Sequence, residues 1–394
     1  YMKLNYFNFK QCGKSILMTN DFGKYMFVSK ENFRKILALD VDRESELYES
    51  LVEKKMIYDE SDLAYSSINK YALREIKGHV NVATSLHIFV VTTVCNMSCI
   101  YCQANNGVEC SHLIMNKEMA EKAVDIALQS PEQSLCFEFQ GGEPLVNFDI
   151  IKHIVQYAEI HKEKHEIAYT VVTNLTLLND EMLDFFVQYN FGISTSVDGS
   201  ELVHNNNRPY ADGSGTFKKV INSVERVRKA GLQVGAIETS TRFSLNFPKE
   251  IVHTYVEMGF ESIFIRPLTP LGKAAKSWEK IGYSSEEFIK FYQQALDELI
   301  EINKAGRFIK EDHAAILLRR IRGDFMNYME LRSPCGAGVG QLAYYADGNI
   351  FTCDEGRMLH EMGQSTFQLG NVYNNTYTDL INNSVCKTVC ASSV

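Results

Sequence analysis

Three cysteines stand close together in the segment "TVCNMSCIYCQ", and their spacing suits metal ligation. Cys95, Cys99 and Cys102 follow the pattern C-x3-C-x2-C. Thiolates bind iron and zinc well, so one such loop can hold three corners of a cube-shaped iron–sulfur cluster and leave the fourth iron open to an outside ligand. A structural zinc site would need a fourth protein ligand nearby, and the nearest candidates are Cys110 and then His112.

A second segment, "FQGGEP", contains two adjacent glycines followed by a carboxylate. Gly141 and Gly142 allow the backbone to approach another group closely, because neither has a Cβ. The alternative interpretation is a tight turn between a strand and a loop, since glycines chiefly mark such turns. Glu143 follows them directly.

Alternating strands and helices must position these segments. Six strands are predicted from residue 86 onward, with amphipathic helices between them. The strand segments are "LHIFVVT", "LCFEFQ", "AYTVVT", "GISTSV", "QVGAIET" and "SIFIRPL". This repetition implies a parallel sheet with right-handed crossovers, and six units are fewer than the eight of a closed barrel. We therefore predict an α/β fold with an open, partial (β/α)6 TIM-like barrel. Chemistry gathers at the carboxyl ends of such strands, and the three-cysteine loop directly follows the first one.

The first 60 residues predict a separate small module. "SILMTN" and "KYMFVS" read as two strands joined by a turn, so Ser15–Ser29 is predicted to be a hairpin. Ser29 then caps a helix at "KENFRKILAL", and a second helix follows at "ESELYESLVEKKMI". A hairpin with short helices is a winged-helix-like arrangement.

The remaining boundaries follow from changes in pattern, in a chain whose 394 residues suit two or three domains. Residues 61–84 are polar and irregular and are interpreted as a linker, and residues 85–310 contain the barrel. Residues 311–394 form a C-terminal region, in which "LAYYADGNIFTC" predicts a hairpin that turns at Asp347-Gly348.

Composition limits the class of protein. The net charge of −9 argues against a broad surface for nucleic acid or acidic membranes. The sequence contains no apolar run of the roughly 20 residues that span a bilayer, and no secretory signal opens it. Seven of the ten cysteines fall in two clusters, which favours metal or iron–sulfur ligation over disulfides and predicts a reducing cytoplasm. The other three, Cys12, Cys110 and Cys136, are interpreted as bystanders.

The cysteine spacing, with Tyr101 before the last cysteine, resembles the signature of radical S-adenosylmethionine (radical SAM) enzymes. The resemblance implies a [4Fe–4S] cluster on Cys95, Cys99 and Cys102, with S-adenosylmethionine on the open iron. One-electron cleavage of the sulfonium gives a 5′-deoxyadenosyl radical, which takes a hydrogen atom from the substrate. Tyr101 is then expected among the cofactor-binding residues.

Further motifs extend the resemblance. "FQGGEP" is similar to the GGEP element of these enzymes, so Gly141, Gly142 and Glu143 are implied to bind the cofactor, the backbone meeting the methionine amino group.

Two later segments complete this set. "TNLTLL" is similar to the TNG element, with Asn174 near the ribose, and "STSVDGSELVHNNNRP" resembles the S-x-D-G…R pattern of peptide-modifying members. In that pattern Ser194 or Ser196 faces the ribose and Arg208 pairs with the methionine carboxylate, since a guanidinium suits a planar anion. A solvated polar face is the alternative for each of these three residues.

The C-terminal region resembles the SPASM/twitch extension of peptide-maturing radical enzymes. Cys335, Gly348 and Cys353 fit its opening pattern and imply an auxiliary iron–sulfur cluster, whereas buried hairpin thiols are the alternative. The denser cysteine run of the family does not follow, and Cys386 and Cys390 cannot replace all of it. Both ends of the chain are expected to be cut, and either the tail lies beyond the last residue or the auxiliary sites are reduced.

Asp354 directly follows Cys353, at the position where related sulfatase maturases have the base that deprotonates the substrate. The resemblance therefore implies a catalytic role for Asp354, and an exposed hairpin-end carboxylate is the alternative.

The subgroup that the sequence resembles most is that of the His-Xaa-Ser system maturases. This implies a maturase that crosslinks a ribosomally made precursor peptide through a C–C, C–S or C–O bond, with residues 1–60 as a PqqD-like module that binds the leader peptide. A reductant such as flavodoxin or ferredoxin is expected as partner, and neither nucleic acid nor membrane. The alternatives are formylglycine formation, as in sulfatase maturases, and a non-catalytic iron–sulfur or zinc protein.

Overall fold

The computed structural model describes residues 1–59, 71, 72, 75, 78, 83–104, 112–324, 328, 329, 331, 332 and 334–391. The chain forms two compact units, Tyr1–Asn81 and Val82–Val394. Most of the predicted linker, residues 61–84, lies outside the described residues, so the linker and the four-part division stay predictions. Within the described part of the chain, no helix has the length and apolar character needed to cross a membrane.

The N-terminal unit contains two small antiparallel sheets. Its strands are β1 (Met2–Leu4), β2 (Asn8–Cys12), β3 (Ser15–Thr19), β4 (Tyr25–Ser29) and β5 (Ile57–Asp59). Strands β2, β3 and β4 are neighbours in that order, and β1 pairs with β5. The predicted hairpin is therefore confirmed as β3–β4. Strand β2 was not predicted, because all of its residues are exposed and it lacks the alternation that marks a half-buried strand.

Within residues 1–59 of this unit lie two helices, α1 (Lys30–Leu37) and α2 (Glu46–Glu53). The predicted cap of α1 is confirmed, since the Ser29 hydroxyl accepts the N–H of Asn32. The predicted end of the second helix is wrong. Helix α2 ends before Lys55, which has a φ of 56°, and Ile57 then pairs with β1. The apolar residues at the end of "VEKKMI" therefore enter the core from a turn and a strand, not from a helix.

The larger unit is built on one ten-stranded sheet. Its strands are β6 (Leu86–Thr92), β7 (Ser134–Gly141), β8 (Glu166–Val172), β9 (Gly192–Ser196), β10 (Val234–Thr239), β11 (Ser262–Arg266), β12 (Lys310–Glu311), β13 (Gln341–Tyr344), β14 (Asn349–Phe351) and β15 (Gln368–Asn371). The order across the sheet is β12-β11-β10-β9-β8-β7-β6-β13-β14-β15. All six predicted strands are present, and β6 to β11 are parallel neighbours in chain order. This confirms the α/β fold with a parallel partial barrel.

Helices follow most of the barrel strands. They are α3 (Lys117–Ala127), α4 (Phe148–His161), α5 (Asp180–Gln188), α6 (Glu201–Asn207), α7 (Phe217–Lys229), α8 (Pro248–Glu257), α9 (Gly272–Lys276), α10 (Trp278–Ile281) and α11 (Ser285–Lys304). The C-terminal region adds α12 (Asp312–Ile321), α13 (Asp354–Glu361), α14 (Tyr377–Ile381) and α15 (Ser384–Ala391).

The two faces of the barrel strands differ in the size and polarity of their side chains. On β7, Phe137 and Phe139 are fully buried in the large hydrophobic core, whereas Glu138 and Gln140 line cavities on the opposite face. A closed barrel fills its interior with bulky side chains. Here the face of β9 that points into the partial barrel carries small residues, Ser194 among them, and a cavity remains inside the barrel.

The C-terminal region extends the barrel sheet. Strand β13 pairs in parallel with β6, where Leu342 lies opposite His87, and β14 and β15 continue antiparallel. The predicted hairpin that turns at Asp347-Gly348 is confirmed as β13–β14. Helix α13 begins directly after this hairpin, which brings its first turn to the cavity described next.

Candidate active site

The sequence motifs meet in one cavity of about 230 Å³ at the carboxyl ends of the barrel strands. The residues of the predicted site that line it are Cys95, Cys99, Tyr101, Cys102, Gly141, Gly142, Glu143, Asn174, Ser196, Arg208 and Asp354. Ser194 lines a second cavity of about 400 Å³. The two cavities share Gln140, Val172, Ile237, Arg266 and Asp354 in their walls. Neither Cys335 nor Cys353 lines either of them.

The cysteine loop is held by backbone hydrogen bonds on two sides. The N–H of Ser98 donates to the carbonyl of Pro209 at 2.8 Å, and the N–H of Ile100 donates to the carbonyl of Asn207 at 2.9 Å. At the far end of the loop, the N–H of Lys273 donates to the carbonyl of Cys102 at 2.9 Å. The loop therefore has a fixed path between the segment after α6 and the start of α9.

The three cysteines of this loop are free thiols that face the cavity. Cys95 is accessible from the cavity, yet burial by the surrounding protein raises its pKa to about 12. Burial likewise raises the pKa of Cys99 to about 11. A thiol must lose its proton to become a metal ligand, so loading this loop with a metal releases protons.

The two glycines are required by the packing of the cysteine loop. A Cβ on Gly141 would lie 2.4 Å from the carbonyl oxygen of Thr92, and a Cβ on Gly142 would lie 2.4 Å from that of Val94. The N–H groups that follow this close approach bond to the same carbonyls, Gly142 to Thr92 and Glu143 to Val94, both at 2.8 Å. The segment thus braces the start of the cysteine loop.

Glu143 joins the loops after β7 and β8. Its side chain is buried, and one carboxylate oxygen accepts from the hydroxyl of Thr173 at 2.6 Å and the N–H of Leu145 at 3.0 Å. The other accepts the N–H of Asn174 at 2.7 Å. Burial raises the pKa of Glu143, and these three donors act in the opposite direction.

Asn174 reaches back to the cysteine loop. Its amide donates to the side-chain oxygen of Asn96 at 3.0 Å and lies 4.0 Å from the sulfur of Cys95. Its own oxygen accepts the hydroxyl and the N–H of Thr176. Asn174 is therefore fixed beside the first cysteine.

Arg208 brings a buried positive charge to the cavity. One guanidinium nitrogen, Nη1, donates to the hydroxyl of Tyr101 at 2.5 Å, and Nε has no partner among the described residues. Burial acts to lower the pKa of Arg208, but Cys99, Tyr101 and Asp198 around it hold that pKa well above its usual value. An unpaired buried donor is costly, so this group suits an anionic ligand.

Asp354 enters the cavity from the first turn of α13. It accepts from Nε of the fully buried Arg357 at 2.7 Å, and Arg357 also lines the cavity. The carboxylate is therefore paired, not the free hairpin-end group that the alternative interpretation describes.

The other cysteines have separate surroundings. The Cys353 sulfur accepts the N–H of Gly356 at the start of α13, and burial raises the pKa of this thiol to about 12. Cys335 is exposed, and Cys386 is buried. Among the described residues, no three His, Cys, Asp or Glu side chains are arranged to hold a single metal ion, and this includes Cys95, Cys99 and Cys102. A cube-shaped cluster instead places a separate iron at each cysteine. The auxiliary cluster on Cys335 and Cys353 stays a prediction.

A cysteine and a histidine were the alternatives for a zinc ligand. Cys110 lies outside the described residues, and His112 is exposed and does not line the cavity. Of two strand-end residues that the sequence leaves unassigned, Arg266 lines both cavities. Glu238 is fully buried and lines neither.

The donor set of the cavity fits the implied cofactors. Three thiols of one loop surround the space, and a buried guanidinium with an unpartnered nitrogen lies in the same wall. Thiols suit an iron–sulfur cluster, and the guanidinium suits a carboxylate-bearing nucleotide beside it.

Sequence reasoning missed three cavity-related residues. Arg357 was identifiable in principle, because it stands three residues after Asp354 on one helix. Asp198 lies inside the quoted segment "STSVDGSELVHNNNRP", of which only Ser194, Ser196 and Arg208 were assigned. Lys273, whose Nζ donates to the hydroxyl of Ser98, has no sequence signal that would place it here.

Comparison with known proteins gives matches over most of the chain. The model of the Radical SAM superfamily matches residues 89–259. An uncharacterized protein of Methanocaldococcus jannaschii is 30% identical over 221 residues, which cover 56% of this chain and 71% of the relative. A cysteine-type anaerobic sulfatase-maturating enzyme of Clostridium novyi is 23% identical over 317 residues, or 79% of this chain and 82% of the relative.

Solved structures share the fold. Native anSMEcpe with bound AdoMet matches with a TM-score of 0.67 and 23% identity, covering 79% of this chain and 83% of the other. Streptococcus suis SuiB bound to the precursor peptide SuiA matches with a TM-score of 0.57 and 13% identity, covering 99% of this chain and 91% of the other.

Proposed function

The chain belongs to the radical SAM superfamily, whose enzymes use a [4Fe–4S] cluster and S-adenosylmethionine, and we propose that it modifies a ribosomally made precursor peptide. The observation that carries the proposal is the cavity in which three thiols of one loop face a buried guanidinium. Bound together, cluster and S-adenosylmethionine supply the 5′-deoxyadenosyl radical that removes a hydrogen atom from the substrate.

Two groups of cavity residues are proposed to hold the cofactors. Cys95, Cys99 and Cys102 hold the cluster, and a second group orients S-adenosylmethionine. The proposed nucleotide-binding residues are Tyr101, Gly141, Gly142, Glu143, Asn174, Arg208 and, of the two candidate serines, Ser196, since Ser196 lines this cavity whereas Ser194 lines the second one. Arg208 binds the methionine carboxylate, because its charge is buried and its Nε is unpartnered among the described residues.

Asp354 is the proposed base for the substrate. It lies in the wall shared by the two cavities, so it is accessible both from the cysteine side and from the second cavity. Arg357 holds the carboxylate in place through its Nε at 2.7 Å. The second cavity, of about 400 Å³, supplies space for a substrate side chain next to this base.

The share of this chain that each solved structure matches favours a substrate peptide that carries a leader. The SuiB match covers 99% of this chain, so it includes most of Tyr1–Asn81, whereas the anSMEcpe match covers 79%. Among the described residues of the N-terminal unit, β2 and β4 are the edges of a three-stranded sheet, where an added strand can pair with the outer backbone groups. We propose that a leader peptide binds there, and that flavodoxin or ferredoxin supplies the electron.

The sulfatase-maturase reaction is the second candidate, because Asp354 reaches the cysteine cavity and the Clostridium novyi relative is 23% identical. The two functions separate in one experiment. Anaerobically reconstituted enzyme is incubated with S-adenosylmethionine, reductant and either a short peptide encoded beside its gene or a sulfatase-derived peptide.

A precursor that gains a crosslink and loses two hydrogen masses, and whose leader binds the enzyme, supports the proposal. Formylglycine in the sulfatase peptide, without binding of a leader, contradicts it. Failure to release any 5′-deoxyadenosine under strong reductant contradicts both candidates.

A further inference from the structure

We propose that Asp198 is a positioning residue for cofactor binding, which acts through the Tyr101 hydroxyl to hold the Arg208 guanidinium ready for a carboxylate. This inference rests on the cofactor-binding role proposed above for Arg208. Asp198 follows β9 and is fully buried, and it does not line the cavity. It therefore acts on a ligand through other residues.

The hydrogen bonds of Tyr101 form a directed chain. Its hydroxyl lies 2.8 and 3.0 Å from the two carboxylate oxygens of Asp198 and 2.5 Å from Nη1 of Arg208. A phenol has one hydrogen to donate, and a guanidinium can only donate. The phenol must therefore donate to Asp198 and accept from Arg208. By accepting the phenol hydrogen, Asp198 turns the lone pairs of the hydroxyl toward Arg208.

Asp198 is itself anchored to the barrel. The N–H of Thr239, the last residue of β10, donates to its carboxylate at 3.4 Å. On the other side of the chain of bonds, the hydroxyl of Thr216 donates to the backbone carbonyl of Arg208 at 2.6 Å. Both ends of the chain thus rest on regular structure, and the guanidinium is the part that meets the cavity.

Charge favours the same arrangement. The guanidinium of Arg208 is buried, and a buried charge is stable only with a partner. Asp198 supplies the opposite charge from behind Tyr101, and it leaves Nε of Arg208 without a partner among the described residues. One nitrogen is thereby committed to the protein while another stays ready for a ligand.

A purely structural role for Asp198 predicts a different result from a positioning role. If Asp198 only joins β9 to β10, its replacement weakens the binding of every ligand of the cavity alike. If it acts through Arg208, its replacement weakens the binding only of ligands that carry a carboxylate. S-adenosylmethionine and 5′-methylthioadenosine form the required pair, because the second lacks the amino-acid portion.

The test uses full-length, anaerobically reconstituted enzyme and equilibrium dialysis with each of the two ligands. Asp198→Asn is expected to lower the affinity for S-adenosylmethionine by about tenfold, which corresponds to the loss of one charge-assisted contact. The affinity for 5′-methylthioadenosine should change by less than about twofold. Asp212→Asn is the matched control, since Asp212 is exposed, stands four residues after Arg208 and does not line the cavity. It should change neither affinity.

Two further variants separate the possible failures. Arg208→Gln alone should weaken the binding of S-adenosylmethionine. Adding Asp198→Asn to it should have little further effect on this binding, because both substitutions act on one contact. If Arg208→Gln has no effect, the role of Arg208 is wrong and the inference falls with it. If Arg208→Gln weakens binding but Asp198→Asn does not, only the inference is wrong.

Equal weakening of both ligands by Asp198→Asn also overturns the inference, since it indicates a structural role. Should Asp198→Asn fail to fold, Tyr101→Phe replaces it. This variant removes the hydroxyl that links the two residues and should give the same selective loss, while an unselective loss or no loss contradicts the proposal.

Discussion

The two groups of cysteines in this chain differ in their surroundings, although both are close in sequence spacing to metal-binding patterns. Cys95, Cys99 and Cys102 lie on one braced loop and line one cavity. In the C-terminal region, the sulfur of Cys386 lies 3.4 Å from the carbonyl oxygen of Gly338 and 3.4 Å from that of Leu380, and its thiol donates to one of them.

The difference shows what turns cysteines into a site. The loop that carries the first group is held in place by hydrogen bonds from the glycine segment, Glu143 and Asn174, which lie at the ends of neighbouring strands. In the second group, Cys353 caps a helix and Cys386 packs in the core. What the C-terminal region brings to the cavity is a carboxylate, Asp354.

The largest expected effect comes from exchanging a cysteine in each group. Cys99→Ala should abolish the iron–sulfur absorbance at the cavity and all formation of 5′-deoxyadenosine, because the other two thiols of that wall among the described residues, Cys95 and Cys102, are each needed for an iron of their own. Cys386→Ala should keep 5′-deoxyadenosine formation. Both variants are compared by iron content and by product release. Loss of activity in Cys386→Ala with a folded chain would contradict the comparison.

The next effect concerns the carboxylate that the C-terminal region supplies. Asp354→Asn should lower modification of the peptide by about 100-fold or more, the usual contribution of a general base. Release of 5′-deoxyadenosine should continue, since Asp354 is not proposed to bind the cofactors. Asp212→Asn is the control, since Asp212 is exposed and lines neither cavity. The peptide product and 5′-deoxyadenosine are measured in the same reaction, and a parallel loss of both would contradict the assignment.

A smaller effect is expected from the glycine that braces the first group. Gly142→Ala should lower the free energy of unfolding by about 1–3 kcal/mol, because its Cβ would lie 2.4 Å from the carbonyl of Val94. Gly235→Ala is the control, since its Cβ would meet nothing within 4 Å. Urea unfolding measures both. Equal stability of the two variants would show that the cysteine loop is not held tightly.

The smallest expected effect is a pH dependence of the stability of the fold, caused by the buried Glu238 in β10. Burial, and then Asp198, raise the pKa of Glu238 well above its usual value. The folded state therefore keeps a proton that the unfolded state releases above about pH 4.3, and stability falls as pH rises from there to the folded pKa. Glu238→Gln should remove a slope of about 1.4 kcal/mol per pH unit. Unfolding at several pH values checks this, and parallel curves for the two proteins would contradict it.

The sequence predicted the barrel well because its strands alternate or are fully apolar. All six strands from β6 to β11 were found, since most of them contain stretches of valine, isoleucine or phenylalanine bounded by polar segments. The exposed strand β2 and the early end of α2 were missed, because the first carries no burial pattern and the second is decided by the pairing of Ile57 with β1. Local sequence patterns do not show which segments pair in the tertiary structure.

The site was predicted to the extent that each motif sits at a strand end. Residues that follow parallel strands must meet at one edge of the sheet, and the cavity brings them together. Contacts between distant segments were beyond the sequence. Nothing in it places β13 beside β6, Lys273 on the cysteine loop or Asp198 behind Tyr101.

The central claim is that three thiols hold a cluster whose fourth iron accepts S-adenosylmethionine. Electron paramagnetic resonance of the reduced enzyme tests it most directly, with Cys335 and Cys353 both replaced by alanine so that only the cavity cluster contributes. The account predicts a [4Fe–4S] signal whose g-values change when S-adenosylmethionine is added. A spectrum that S-adenosylmethionine leaves unchanged, or a protein that binds zinc and no iron, would contradict it.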